Sequence, residues 1–296
     1  MSRQSVYSIE RTIAYIEEHL DGKLDLDMVA CAMNYSKYHL HRTFTGTVGM
    51  TIHDYIFRRQ LTEAAKLLVF SEKSILDIAV TCGYESRQAF SVAFKDMYKL
   101  PPAKFREQRE FYPLQLRYVL QETAGNADMR KSDIRFAEEA DILAWMELVR
   151  LVVDGYPHLN EEEYLQELKE RIEQKRALIL TQPGQKERAV GVMAFSYEAG
   201  SMDFFGIHPQ YRNSNVAKLF LDKLMEEILP GQEISTTTYR EGDRADNGHR
   251  RALKQLGFAE KELLYEFGYP TQKFVLSSVN EEDCDEKGNQ QAGGEF

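Results

Sequence analysis

Two sets of polar side chains in the first hundred residues have the types that contact nucleic acids. Each set follows a serine that can cap the start of a helix, Ser36 in one case and Ser86 in the other. The first set comprises Lys37, Tyr38, His41 and Arg42, and the second comprises Arg87, Gln88 and Ser91. Arg, Gln and hydroxyl groups can recognise base edges, and Lys and Arg also hold phosphates. The pattern favours binding to double-stranded DNA, and a helical bundle with solvated polar faces is the alternative.

An internal repeat positions these two sets. In each copy a short apolar helix ends in a tight turn, and a Ser-capped helix of about ten residues follows, as in a helix-turn-helix unit. The copies begin near Leu26 and Ile75, and an intervening helix over 51–70 separates them. The predicted helices are Ser8–Leu20, Asp27–Met33, Ser36–Thr45, Thr51–Phe70, Ser74–Thr81, Ser86–Tyr98 and Pro102–Arg109. The tandem arrangement predicts an all-α domain over 1–120 that binds DNA.

Residues 8–107 resemble the DNA-binding domain of the AraC/XylS family of transcription regulators. The resemblance rests on motifs such as His39-Leu40, Asp77-Ile78-Ala79 and Gly83-Tyr84. It implies that the two recognition helices enter successive major grooves of promoter or operator DNA, with Tyr38, His41, Arg42, Arg87, Gln88 and Ser91 contacting bases or phosphates. It also implies a small-molecule effector and makes RNA polymerase a candidate partner.

Two residues depart from that family pattern. Val92 stands where many relatives carry Arg, and Lys99 stands where Gly is usual. We therefore expect the second unit to recognise fewer bases, or different ones, than the second unit of those relatives.

The charge of the chain is unevenly distributed. The formal net charge is −10, yet residues 1–120 carry 16 Lys and Arg against 14 Asp and Glu, whereas residues 121–296 carry 21 against 33. The acidity therefore belongs to the second half, and DNA binding must depend on a localised basic face.

The sequence also bears on location. It contains no apolar run long enough to span a bilayer and no secretory signal, and its three cysteines lack the spacing of a disulfide framework or a zinc site. We expect a cytoplasmic, nucleoid-associated protein without a membrane partner or a metal, and we expect Cys31 and Cys82 to be buried.

The second half has a different organisation. Residues 121–133 are polar and aperiodic, which predicts a linker, and residues 277–296 are acidic and predict a disordered tail. Between them, over 134–276, helices alternate with short apolar strands, which favours an α/β domain. The predicted strands are Ile134–Ala137, Ala177–Thr181, Ala189–Tyr197, Ser201–Ile207, Glu233–Tyr239 and Leu263–Tyr269, and the predicted helices lie near Asp141–Leu151, Glu161–Gln174, Asn215–Ile228 and Gly248–Leu256.

One segment of this domain could hold an anion. An apolar strand segment runs as far as Pro209, a basic polar loop with Arg212 follows, and a helix begins near Asn215. Backbone N–H groups at such a helix start can bind a pyrophosphate. With Leu256-Gly257-Phe258 downstream, residues 133–270 resemble the GNAT (Gcn5-related N-acetyltransferase) superfamily, which implies a mixed central sheet and an acetyl-CoA or other acyl-CoA ligand. The residues so implied are Ile207, Arg212, Asn213, Ser214, Asn215, Val216 and Ala217.

Departures from the GNAT pattern bear on catalysis. Asn215 stands where a Gly is usual, and Leu253, or Lys254 by a shifted alignment, stands where many relatives carry a Tyr that acts as general acid. Replacement acids would be Tyr239 or His249, and replacement bases Glu198 or Asp203. We expect a domain that senses a small ligand, with an active N-acetyltransferase for an amine or a protein lysine as the alternative, and a dimerisation or partner-docking surface as a third reading.

Overall fold

The computed structural model describes residues 3–120, 129–153, 159–266 and 268–277. Most of the predicted linker, residues 121–128, and nearly all of the predicted acidic tail, residues 278–296, lie outside the described residues.

The first domain is helical, as predicted. Its helices are α1 (Arg3–Glu18), α2 (Leu26–Ala32), α3 (Lys37–Val48), α4 (Ile52–Phe70), α5 (Ile75–Thr81), α6 (Arg87–Tyr98) and α7 (Pro102–Gln108). The predicted N-caps Ser36 and Ser86 are confirmed: each side chain accepts a hydrogen bond from the backbone N–H three residues later. Thr51 and Ser74 cap α4 and α5 in the same way. Each cap satisfies a donor that the helix itself leaves without a partner.

Two apolar clusters form the core of this domain, and α4 contributes to both. The first half of α4 places Tyr55 and Ile56 against α1, α2 and α3. Its second half places Leu61 and Leu68 against α5, α6 and α7. The helix therefore runs from one helix-turn-helix unit to the other and joins them.

The loop between α1 and α2 provides a second link between the units. Gln60 of α4 donates to the carbonyl of Gly22 at 2.8 Å, and the Gly22 N–H donates to the carbonyl of Thr81 at 2.7 Å. A Cβ at Gly83 would lie 2.5 Å from the Gly22 oxygen, so this approach requires a glycine. Gly83 also has a φ of +80°, which glycine adopts without strain.

The second domain has a seven-stranded mixed sheet. Its strands are β1 (Arg135–Phe136), β2 (Ala177–Gln182), β3 (Gln185–Ser196), β4 (Ser201–Ile207), β5 (Ile234–Tyr239), β6 (Ala259–Glu266) and β7 (Tyr269–Leu276), and its helices are α8 (Ile142–Val152), α9 (Glu161–Glu173), α10 (Val216–Lys223) and α11 (His249–Gln255). The spatial order is β1-β2-β3-β4-β5-β7-β6. Neighbouring strands are antiparallel except β4 and β5, which are parallel and pair at Ser201 and Ser235. The predicted mixed sheet is confirmed.

The helix predicted near Asn215–Ile228 is confirmed: α10 continues into a π-helical turn over Leu224–Ile228. Two other sequence predictions for this domain need correction. The single strand predicted over 263–269 is wrong: β6 ends at Glu266 and β7 begins at Tyr269. Most of β6 is exposed and has no apolar alternation, so the sequence pattern did not indicate it. Residues 131–133, predicted as linker, form a 3-10 helix, and the neighbouring Met129 packs into the core of the second domain.

Within the described residues, no helix is both long enough and apolar enough to cross a membrane.

Candidate nucleic-acid interface

The first recognition helix, α3, presents its predicted contact residues to solvent. Leu40 and Phe44 are buried and fix one side of the helix in the core. The other side carries the four predicted side chains, all exposed: Lys37, Tyr38, His41 and Arg42. Tyr38 is 74% exposed, so its ring is accessible to a partner on this face.

Two contacts organise that face. The Arg42 guanidinium carbon lies 5.7 Å from the centroid of the Tyr38 ring, a cation-π arrangement that holds both side chains on the outer surface. Lys37 pairs with Asp27 of α2, and both side chains are largely exposed. An exposed pair of this kind contributes little stability, so Lys37 can exchange Asp27 for a phosphate at low cost.

The second recognition helix, α6, repeats the arrangement 50 residues later. Arg87 and Gln88 are exposed, Ser91 is half-buried, and Phe90 and Phe94 anchor the inner face. Val92 lies on the outer face and is 59% exposed. It occupies the position equivalent to Arg42, so the second unit presents an apolar side chain where the first presents a guanidinium.

The tight turns before the two recognition helices have matching geometry. The N–H of Tyr35 donates to the carbonyl of Ala30, and that of Tyr84 to Ala79, both at 2.9 Å. The left-handed residue is Asn34 in the first turn, with a φ of +57°, and Gly83 in the second. The role of Asn34 was not predicted from the sequence, although Asn is among the residues that tolerate this conformation.

Comparisons with known proteins address this domain. Residues 29–108 match a family model described as a helix-turn-helix domain. The regulatory protein SoxS of Escherichia coli (strain K12) is 40% identical over 108 residues, which make up 36% of this chain and 99% of SoxS. The chain belongs to the AraC family. It contains an AraC-family DNA-binding domain at its N-terminus and is a DNA-binding transcription regulator.

Other similarities are also confined to the AraC-family domain of this chain. The HTH-type transcriptional regulator YbfP of Bacillus subtilis (strain 168) is 37% identical over 99 residues, and the chain spans 34% of its length. Among solved structures, the C-terminal domain of AraT, a response regulator from Geobacillus stearothermophilus, is 29% identical with a TM-score of 0.34, over 36% of this chain and 88% of that domain.

The loop of the second domain that was predicted to hold an anion lies against the DNA-binding domain. Ile207 ends β4, Val216 is buried at the start of α10, and Ser214 turns the chain by donating to the carbonyl of Tyr211 at 2.6 Å. Arg212 and Asn213 extend toward the first unit. Arg212 lies 3.4 Å from the Tyr118 hydroxyl, and Asn213 donates to two carbonyls at the end of α3.

The residues considered for catalysis are dispersed or engaged elsewhere. Tyr239 is 6% exposed, and its ring centroid lies 6.4 Å from that of His249 and 6.0 Å from the Lys99 ammonium of the first domain. Leu253 is buried in the core of the second domain. Asp203 pairs with Arg171 at 2.6 Å, and Glu198 is exposed in the turn after β3. The structure thus brings Tyr239 near His249 but places neither carboxylate in the same contact.

The two cysteines of the first domain differ in their exposure to solvent. Cys82 is buried as predicted, and burial raises the pKa of its thiol to about 12. The same prediction for Cys31 is wrong, because this side chain is exposed on the outside of α2. Among the described residues, no group of three or more Cys, His, Asp and Glu side chains could hold a metal ion.

Proposed function

We propose that this AraC-family chain regulates transcription by binding an operator with α3 and α6, under the control of a small ligand bound to its second domain. The observation that carries the DNA-binding part is the pair of exposed outer faces on equivalent helices, each held rigidly by a buried inner face. We assign Lys37, Tyr38, His41 and Arg42 to the first half-site and Arg87, Gln88, Ser91 and Val92 to the second.

For the second domain we propose a GNAT-like fold that binds an acyl-CoA. Two features support this. The first is the strand order, with one parallel pair, β4 and β5, between antiparallel neighbours. The second is the Arg212 loop, which leads from β4 into α10 and would supply a cation and backbone N–H groups to a pyrophosphate.

Ligand binding at this loop would be coupled to the DNA-binding domain, because the same side chains serve both. Arg212 and Asn213 now contact Tyr118 and the end of α3. A pyrophosphate that recruits them must break these contacts, so the ligand has different affinities for the docked and undocked arrangements. Such a difference is the thermodynamic requirement for allosteric control.

The test uses the full chain and a labelled duplex enriched from a random-sequence library by that chain. We expect acetyl-CoA to change the Kd for this duplex, and we expect DNA to change the Kd for acetyl-CoA by the same factor, because coupling is reciprocal. An Arg212→Ala variant should bind acetyl-CoA more weakly. Calorimetry that detects no acetyl-CoA binding to the full chain would refute the acyl-CoA assignment, whereas failure to enrich any duplex would refute the proposed operator binding.

An active N-acetyltransferase is the second candidate, and the proximity of Tyr239 to His249 is the observation that favours it. Leu253 argues against it, since a buried aliphatic side chain cannot protonate a leaving thiolate. Release of free thiol from acetyl-CoA across a panel of amines and lysine peptides separates the two functions. A sensor gives no release above background, and a catalyst gives release that a Tyr239→Phe variant abolishes.

A further inference from the structure

Two loops of the second domain contact the two recognition helices at equivalent positions. The two recognition helices lie 50 residues apart, so that Ser36 matches Ser86, and Gly49, which ends α3, matches Lys99, which ends α6. Both end residues are left-handed, with φ values of +71° and +59°. The second domain contacts equivalent ends of these helices, through loops some 30 residues apart in its own sequence.

The first contact is between Arg212 and Asn213 and the end of α3. The Asn213 amide donates to the carbonyls of Thr45 and Gly46 at 3.1 and 3.2 Å, which are among the last carbonyls of the helix. The Arg212 side chain lies over Gly49 so closely that a Cβ there would be 2.9 Å from it. A donor and a cation thus meet the C-terminal end of the helix, where the last carbonyls carry partial negative charge.

The second contact is between Asp243 and Arg244 and the end of α6. The Lys99 ammonium lies 2.7 and 2.9 Å from the two carboxylate oxygens of Asp243, and this pair is almost enclosed, with 17% and 6% of the side chains exposed. Arg244 reaches Asp96 at 3.5 Å. Asp96 is equivalent in the repeat to Gly46, which Asn213 contacts in the first unit. The two loops therefore engage the same pair of positions on each recognition helix.

A third contact lies between these two, at the middle of α4. The buried guanidinium of Arg58 donates to the carbonyl of Ala245, and Ala245 is packed in the same apolar cluster as Leu61 and Phe90. The second domain thus spans the helix that joins the two units. The α1–α2 loop ties the units together through Gly22, and the second domain ties them through the ends of their recognition helices.

We propose that the second domain positions the two recognition helices for DNA. Its loops at 212–213 and 243–244 hold the ends of α3 and α6 in one relative orientation, which sets the spacing at which the two units meet successive major grooves. Asn213, Asp243 and Arg244 are positioning residues: they act on DNA recognition through the helices and contact no base. This role requires no ligand in the second domain.

The first experiment measures the relative position of the two units in the full chain. Spin labels at Glu18→Cys on α1 and Lys104→Cys on α7 report the distance between the units by pulsed electron paramagnetic resonance, in a background where Cys31 and Cys284 are Ser and the buried Cys82 is retained. We expect one narrow distance distribution, and a broad one in the double variant Asn213→Ala, Asp243→Asn. Glu241→Gln removes a charge from an exposed position of the same loop and should leave the distribution narrow.

The second experiment measures recognition itself, with the library-enriched duplex and versions of it that carry one extra base pair between the half-sites. If the released units occupy the correct arrangement about a tenth of the time, the Kd of the double variant rises about tenfold. The preference of the double variant for the original spacing should also fall. A double variant with Asp243→Glu in place of Asp243→Asn retains the anion, so it should keep part of the operator affinity and part of the spacing preference. Unchanged distance distributions and unchanged spacing preference in the double variant would overturn the proposal, as would an equal effect of Glu241→Gln.

Discussion

Lys99 provides a sharp test of the contact between the domains, because two opposing effects meet at this residue. Its φ of +59° lies in the left-handed region, which costs a non-glycine residue about 1 kcal/mol relative to Gly. Its ammonium pairs with Asp243 in a nearly enclosed site. Removing one partner of a buried pair costs about 3 kcal/mol, the lower end of the usual range because Lys99 keeps some exposure.

The substitution Lys99→Gly should therefore change sign with its background. In the otherwise unchanged chain it loses the pair and relieves the backbone, a net destabilisation of about 2 kcal/mol. In an Asp243→Asn background no ion pair remains to be lost, and the same substitution should stabilise by about 1 kcal/mol. Asn can still accept the hydrogen bond that Ala245 N–H donates to Asp243 at 2.9 Å, so the loop is retained.

The unchanged chain, Lys99→Gly, Asp243→Asn and the variant with both substitutions form a double-mutant cycle. Urea unfolding of these four chains measures it. The fluorescence of Trp145, the single tryptophan, reports the second domain, and far-UV circular dichroism is weighted toward the helical first domain. Both signals should be followed, because a two-domain chain need not unfold in one step. Equal effects of Lys99→Gly in the two backgrounds would refute the energetic coupling of Lys99 to Asp243, and with it the role assigned to this contact.

Three further predictions concern the interface and the loop. Arg42→Ala should weaken operator binding by about 1–3 kcal/mol and relax specificity at one position if Arg42 contacts a base; unchanged affinity and preference in a gel-shift series would remove it from the set. Val92 should contact a thymine methyl, so replacing that thymine by deoxyuridine should cost about 0.8 kcal/mol in the wild type and nothing in Val92→Ala; equal losses in both proteins would contradict this contact. Burial, with the nearby charges of Arg212 and Arg188, lowers the pKa of His208 to about 4. As the pH falls, the unfolded chain therefore binds a proton at this histidine near pH 6.5, whereas the folded chain binds it only near pH 4. Stability should therefore fall by up to about 3 kcal/mol between pH 6.5 and 4, a loss that His208→Gln lacks when Tm is followed against pH; parallel pH profiles would disprove it.

The helical domain was predictable because its signals are local. Ser36 and Ser86 cap helices whose apolar residues repeat at helical spacing, and the repeat itself shows that the two units share one fold. The outward orientation of Tyr38 and Arg42 follows from the burial of Leu40 and Phe44 on the opposite side. None of these inferences requires knowledge of the second domain.

The contact between the domains was not predictable in this way, because its residues carry no local pattern. Lys99 was recognised as a departure from a usual glycine, but its partner Asp243 lies 144 positions away in a polar loop. Arg212 was assigned to an anion, whereas the structure engages it with Tyr118 and Gly49. Cys31 was expected inside because cysteine is usually buried, and only the packing of α2 shows which side of that helix faces solvent.

The direction of the proposed ligand control follows from where the second domain docks. It contacts the C-terminal ends of α3 and α6 and leaves Tyr38 and Val92 exposed at 74% and 59%. The docked arrangement therefore keeps the predicted DNA-contacting faces open and holds the helices in one orientation. A ligand that draws Arg212 and Asn213 away from α3 removes a constraint without uncovering any new DNA-contacting surface. We accordingly expect acetyl-CoA to raise the Kd for the operator, and Asn213→Ala, which lacks this contact from the outset, to show a weaker operator affinity that acetyl-CoA changes less. Tighter operator binding in the presence of acetyl-CoA would show that the docked arrangement is the inactive one.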